Sequence, residues 1–216
     1  MSITKAVGTA VAIASTYGSS VTMSAITNAT EAVATLGAGH GVVVGDYLEV
    51  TSGWGLLDKR VVRAKTVSTN DITFEGINTT STTNYPAGSG TGSIRRITAF
   101  TDITQRTPNI GTSGGEQQFA DITTLQDVVE KKLPTRRSAV DMSLPGFYDL
   151  SLSWVSTVQT AAEGSSPVAV KLSYPNGSKL VANAYWSFRD VATIEDSTLR
   201  DEITLTFAAT PKGYAT

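Results

Sequence analysis

The sequence predicts an all-β protein with one short helix, and three observations carry that prediction. Short apolar–polar alternations recur at roughly 8–12-residue spacing, between clusters of Gly, Asn, Asp, Ser and Thr. Ser and Thr supply about a quarter of the 216 residues and Gly adds 19, a composition of strands and turns. Only residues 158–163 (Val-Gln-Thr-Ala-Ala-Glu) read as a convincing helix, stopped by Gly164. The expected architecture is a β-sandwich or barrel domain with a small inserted or appended β module.

Composition narrows the function classes. The chain is long enough to bury about 70% of its unfolded surface, so it folds without staples. Cysteine is absent, which removes disulfides, thiol catalysis and thiolate metal sites. His40 is the one histidine, so no multi-histidine metal site can form within one subunit. At 40% hydrophobic the chain is too apolar for disorder. The net charge of −2 argues against wholesale affinity for nucleic acid.

Three regions follow along the chain. Residues 1–25 form an extended arm with strand character. In it Val7, Thr9, Val11 and Ile13 share one face, and Gly8, Ala10, Ala12 and Ala14 the other. Such a small-residue face lets another sheet or subunit approach closely. The apolar run 6–14 behind Lys5 also imitates a secretory signal, but a true h-region is richer in Leu and Phe. It is too short to cross a bilayer. The sequons at Asn28, Asn78 and Asn176 arise by chance in a Ser/Thr-rich chain without such a signal.

Residues 26–98 read as a small β-barrel-like module. Strands are expected at 42–44, 47–50, 60–67, 72–75 and 94–100, with turns at Gly45-Asp46 and Asn70-Asp71 and a mobile polar loop over 78–92. Residues 99–216 form the main β domain. Residues 116–124 read as a twisted strand, and 125–133 are ambiguous between strand and helix until Pro134 ends them. Strands follow at 137–144, 148–155, 168–174, 180–189 and 202–208, and Asn176-Gly177 makes the sharpest hairpin turn.

Chemistry has little to stand on. Gly111-Thr112-Ser113-Gly114-Gly115 matches the nucleophile-elbow pattern, yet no strand leads in, no helix follows, and the only histidine precedes it. It reads as a flexible loop. The glycines around His40 lack a dinucleotide fingerprint, and His40 reads as a turn residue capping backbone. Asp190, Glu195, Asp196, Asp201 and Glu202 lack calcium-loop spacing and read as a solvated acidic rim. The pairs Arg95-Arg96, Lys131-Lys132 and Arg136-Arg137 are scattered and have no interleaved aromatics, so solvated faces or inter-subunit charge contacts fit them better than nucleic acid. No enzyme activity, cofactor or metal is expected. Long alternating strands, a small-residue face and polar loops describe a protein that pairs its edges by assembling.

The C-terminal half resembles the tail tube (major tail) proteins of long-tailed bacteriophages. The resemblance rests on Tyr148-Asp149-Leu150-Ser151-Leu152-Ser153-Trp154, the helix at 158–163, and Val168-Ala169-Val170-Lys171-Leu172-Ser173-Tyr174-Pro175-Asn176-Gly177. The closing strand 202–208 and the segment from Phe119 to Asp127 also fit. It covers 99–216 well and 26–98 loosely. It implies homohexameric rings that stack into a tube, with long strands of each subunit joined in one β-barrel around a channel for DNA ejection. The implied partners are further copies of the chain and other tail proteins (tape measure, terminator, baseplate or tip), with DNA passing through the lumen without specific binding and no membrane. The implied location is the virion tail, after assembly in the host bacterial cytoplasm. Gly111, Thr112, Ser113, Gly114, Gly115, Glu116, Gln117 and Gln118 are the expected inter-ring loop. Val7, Gly8, Val11 and Ile13 are the expected inter-subunit strand, and Lys131, Lys132, Arg136 and Arg137 the expected charge contacts. The alternative is a surface carbohydrate- or receptor-binding β-sandwich that uses Trp54, Tyr85, Tyr185 and Trp186 as a stacking platform.

Overall fold

The computed structural model of the chain describes residues 8–107 and 109–215. The described chain is all-β with one short helix, as the sequence predicts. Its spine is two long antiparallel strands, β1 (Ala10–Ile26) and β6 (Gly92–Ile103), paired from Val11↔Ile103 to Met23↔Gly92. Register shifts between Ala14 and Ser20 bend the spine where its sequence turns polar. One end of the spine belongs to a barrel and the other to an open sheet.

The barrel adds β2 (Val33–Leu36), β3 (Tyr47–Ser52), β4 (Val61–Ser68) and β5 (Asp71–Phe74). Hydrogen bonds run β2-β5-β4-β3-β6-β1, and β2 returns to β1 through Met23↔Leu36 and Ile26↔Ala34. Closure leaves this lobe no free edge. Alternate residues Leu48, Val50, Val62, Ala64, Ile72 and Phe74 fill its core. The 78–92 segment, expected as a mobile loop, is pinned. Thr79 and Tyr85 are buried, and Trp54 donates its Nε1–H to the Pro86 carbonyl at 2.7 Å. Gly90 is required there, because a Cβ would lie 2.6 Å from the Trp54 ring and 2.5 Å from Ile26. The strand expected at 42–44 is a turn that leaves Val43 and Val44 exposed.

The second lobe continues the sheet in the order β6-β1-β11-β12-β14-β10-β7. Here β7 is Gly111–Gly114, β10 Val140–Phe147, β11 Val168–Ser173, β12 Lys179–Phe188 and β14 Thr198–Phe207. A separate two-stranded sheet pairs β8 (Gln117–Asp121) with β9 (Lys132–Arg137). The short β13 (Thr193–Glu195) pairs with β14, and β15 (Lys212–Tyr214) with β12. One face of the sheet carries Val11, Ile13, Leu144, Val170, Trp186, Ile203 and Leu205, and α1 (Val155–Glu163) covers it with Val155, Val158 and Ala161. Two expectations fail nearby. The segment 148–154 is a series of turns, because the Asp149 carboxylate takes the N–H and hydroxyl of Ser151, and its alternation instead delivers Trp154 into the core. The helix therefore begins at Val155, three residues before the predicted start.

The two lobes are packed together. Ala14, Val61, Ile97, Ala169, Val181 and Tyr214 form a third core between them, flanked by Tyr17, Tyr47 and Phe100. The Tyr214 hydroxyl accepts the Arg63 N–H at 2.7 Å, and the Arg63 guanidinium lies 4.6 Å over its ring. Lys212 donates to the Gly76 carbonyl at 2.7 Å, so β15 straps the barrel onto the sheet. Burial pushes the Tyr17 phenol up to about 12 and also raises Tyr47 and Tyr214.

Candidate assembly surfaces

Unlike the barrel, the main ladder of the second lobe is open at both ends among the described residues. Residues 92–97 of β6 bond β3 on one side and β1 on the other, but, among the described residues, 98–103 bond β1 alone. At the far end, β7 bonds only β10 among the described residues, through Val140↔Gly114 to Ser143↔Gly111. Each edge offers a row of backbone N–H and C=O groups to another chain.

The segment from Gly111 to Gln118 is not the flexible loop expected. Gly111, Thr112, Ser113 and Gly114 form edge strand β7, and Gln117 and Gln118 open β8. Gly114 and Gly115 both sit near φ +80°, and a Cβ on Gly114 would lie 1.9 Å from the Ala139 carbonyl oxygen. Glycine is therefore needed where the ribbon turns. The ribbon itself is not broken there. Gly115 donates to Ala139 O, Ser138 donates to Glu116 O, and the Glu116 N–H goes to the Ser138 hydroxyl. The β7–β10 ladder thus runs on into β8–β9 as one arm.

The arm is uncovered. Neither strand of β8–β9 has a buried residue. Ile122, Leu125, Val128 and Val129 stand at its tip, with Leu125 105% and Val128 99% exposed, and Phe119 and Leu133 line its shaft. Residues 122–131 are turns and irregular backbone and 132–133 open β9, which settles the ambiguous stretch against helix. The reason is local: the Asp127 carboxylate accepts the N–H and hydroxyl of Thr124 and pairs with Lys131. The Lys131 contact and then those of Thr124 hold Asp127 below the ordinary carboxylate range. Lys132 pairs with Glu130 at 3.4 Å. Among the described residues, Arg136 and Arg137 have no ion pair, although both lie on the exposed shaft.

The remaining predicted residues fall apart from this arm. Val11 and Ile13 are turned into the subunit's own core and bonded on both sides, so they offer a neighbour no surface. Gly8 is exposed with φ +92°, and Val7 lies outside the described residues. His40 does cap backbone: Nδ1 accepts the Val42 N–H at 3.1 Å, so Nε2 carries the proton that meets the Thr69 carbonyl at 2.8 Å. The aromatic platform is corrected. Trp54 and Tyr85 meet edge-to-face at 5.2 Å inside the barrel, Trp186 lies in the main core, and only Tyr185 is exposed. The acidic rim is corrected in part, because Asp201 is buried.

That aspartate anchors the arm's root, a role the sequence did not signal. Arg106, in the link from β6 to β7, meets the Asp201 carboxylate through both terminal nitrogens at 2.5 and 3.0 Å. Its guanidinium lies 4.7 Å over Trp154 and also donates to the Leu144 carbonyl. Gly146 leaves room for it, since a Cβ there would come within 2.3 Å. Both side chains are nearly fully buried, and the pair is 95 residues apart in sequence. Among the described residues, no group of three or more His, Cys, Asp or Glu side chains could hold a metal, and no helix is long and apolar enough to cross a membrane.

A family model described as phage tail tube protein, TTP, matches residues 52–216, more than half of the chain. No curated protein matches the sequence.

Proposed function

Since the chain belongs to the phage tail tube protein family, a structural component of the virion tail that assembles with itself and other tail parts, we propose that it forms homohexameric rings that stack into the tube through which DNA is ejected into the host. One observation carries this reading: the second lobe's sheet is open along residues 98–103 and along β7, while a hairpin arm with an apolar tip is left uncovered. A lone subunit keeps two edges that invite pairing and an apolar tip in water. Copies joined edge to edge around a ring close the sheet into a barrel and leave no edge. In this reading β7 takes part in the joint, and Glu116, Gln117 and Gln118 launch the arm across to the next ring. Arg136 and Arg137 supply inter-subunit charge contacts, whereas Lys131 and Lys132 are already paired within the arm. The partners at the two ends of the tube are the tape measure, the terminator and the baseplate or tip, and assembly takes place in the host bacterial cytoplasm.

Negative-stain electron microscopy of the purified protein, with light scattering on the same sample, tests the reading. Six-fold rings or hollow tubes are expected. A particle that stays monomeric at every concentration overturns it. Deleting Gln117 to Arg137, which form no part of any of the three cores, is expected to leave rings and abolish tubes. Tubes of unaltered length from that variant overturn the arm's role.

A further inference from the structure

The hairpin between β11 and β12 carries a reactive pair that self-assembly does not use. Asn176 is the one asparagine of the chain followed by glycine. Asn28, Asn70, Asn78, Asn84, Asn109 and Asn183 are each followed by a residue whose side chain hinders its own backbone nitrogen. Gly177 has no such hindrance, so its nitrogen can reach the Asn176 side-chain amide. The site is open to water, since Asn176 is exposed at the tip of the hairpin.

The folded turn ties down both reacting groups. β11 and β12 pair as far as Ser173↔Lys179, and Tyr174 donates its N–H to the Ser178 carbonyl at 2.9 Å. That leaves a three-residue loop, in which Pro175 takes the first turn position and Gly177 sits at φ +84°. The Gly177 N–H, which must lose its proton to attack, donates to the Tyr174 carbonyl at 2.9 Å. The Asn176 Oδ1 accepts the Ser178 N–H at 3.1 Å and the Ser178 hydroxyl at 2.6 Å. Closing a ring between the Gly177 nitrogen and the Asn176 Cγ breaks the bond to Tyr174 and turns the side chain off Ser178.

We infer that Asn176 is the chain's site of spontaneous deamidation and that the folded β11–β12 hairpin gates it, so that conversion proceeds from the opened hairpin. In the open state the Gly177 nitrogen gives up its proton to solvent and attacks the Asn176 Cγ. The Cγ–Nδ2 bond breaks, and ammonia leaves after taking a proton back from solvent. Water, the one co-reactant, then opens the succinimide at either carbonyl and yields aspartate or isoaspartate. Aspartate keeps the two Ser178 bonds, now charge-assisted. Isoaspartate adds a methylene to the main chain and cannot keep the three-residue loop in register. The rate of conversion therefore reads the population of the opened hairpin. This holds whether or not copies of the chain assemble.

Peptide mass spectrometry of the full chain, which separates amide from acid at each asparagine, provides the test. Conversion at Asn176 is compared in native buffer and in concentrated urea, at the same mildly alkaline pH and temperature. It is expected to be at least about tenfold faster in urea, and faster there than at any other asparagine. Equal rates in the two solvents overturn the gate, and a different asparagine converting first in urea overturns the site. Ser178→Ala removes the hydroxyl bond and no backbone bond. Relative to its own rate in urea, its native conversion is expected to rise about 2- to 10-fold, the worth of one hydrogen bond. An unchanged ratio overturns the restraint by Ser178. Asn176→Asp is expected to melt with the parent, and a lower melting temperature overturns the fit of the carboxylate to the turn.

Discussion

The junction between the lobes and the β8–β9 arm are both rich in large apolar side chains, yet they end in opposite states. At the junction, Tyr17, Tyr47, Phe100 and Tyr214 pack around Ala14, Val61, Ala169 and Val181, and the buried hydroxyls of Tyr17 and Tyr214 accept the N–H groups of Ala169 and Arg63. On the arm, Leu125 and Val128 touch almost nothing and the strands contain no buried residue. The same class of side chain thus closes one surface inside the chain and leaves another for a second chain. The apolar content of a segment says that it will be covered; the count of its own partners says whether that happens within the subunit.

Truncating the strap is expected to have the largest effect on the subunit. Tyr214→Ala removes an aromatic ring and a hydroxyl from the junction and should cost about 3–5 kcal/mol, as large-to-small core changes do, measured by denaturant unfolding. An unfolding midpoint equal to the parent's would show that β15 does not hold the lobes together. At the arm's root, Asp201→Ala leaves the Arg106 guanidinium buried without its carboxylate. The expected loss is about 3 kcal/mol, with the thermal midpoint of the subunit as the readout.

Alkaline pH separates the two regions without mutation. The junction tyrosines are held above the ordinary phenol value of 10.0 by burial, Tyr17 to about 12. A folded-state value raised above the unfolded one contributes stability in full below pH 10, and that contribution is lost as pH rises through 12. Absorbance of tyrosinate is expected to rise in two stages, with the junction phenols ionising last and together with separation of the lobes. A single transition near pH 10 with the fold intact would contradict the burial argument. The arm contains no tyrosine and contributes nothing to the tyrosinate signal.

Smaller effects sharpen the contrast. Ser197→Gly relieves a positive φ of 60° at the β13–β14 turn and is expected to raise subunit stability by up to about 1 kcal/mol. Leu125→Ser should change subunit unfolding by no more than about 0.5 kcal/mol, because the side chain has no contacts to lose. The same substitution is expected to lower the yield of tubes, counted by electron microscopy. A large loss of subunit stability in Leu125→Ser would show that the arm tip packs within its own chain.

Local pattern made the strands readable. The alternations Leu48/Val50, Val170/Leu172 and Ile203/Leu205 each place their apolar members on a core face, and the Asn176-Gly177 turn joins β11 to β12 where it was expected. Periodicity survives because it is a property of neighbouring residues, and burial on one face acts on each strand in the same way. It misled at 148–154, where the alternation of Leu150, Leu152 and Trp154 is real but an Asp149–Ser151 turn outcompetes the strand. It also misled at Gly111 to Gly114, where glycine content suggested a loop but the sequence does not reveal β10 as a partner.

The amino-acid order therefore settles the all-β class, the single helix and the lack of thiol or multi-histidine chemistry, since these depend on composition and near neighbours. Only the tertiary structure decides the rest. Barrel closure needs β2 to find β1, the buried pair joins Arg106 to an Asp201 that looks like any surface acid in sequence, and Trp54 becomes core because Pro86 and Tyr85 close over it. The exposed apolar tip of the arm is set by the same long-range pairing. Each depends on contacts between distant segments, whose loop-closure cost and packing gain leave no trace in any local window of sequence.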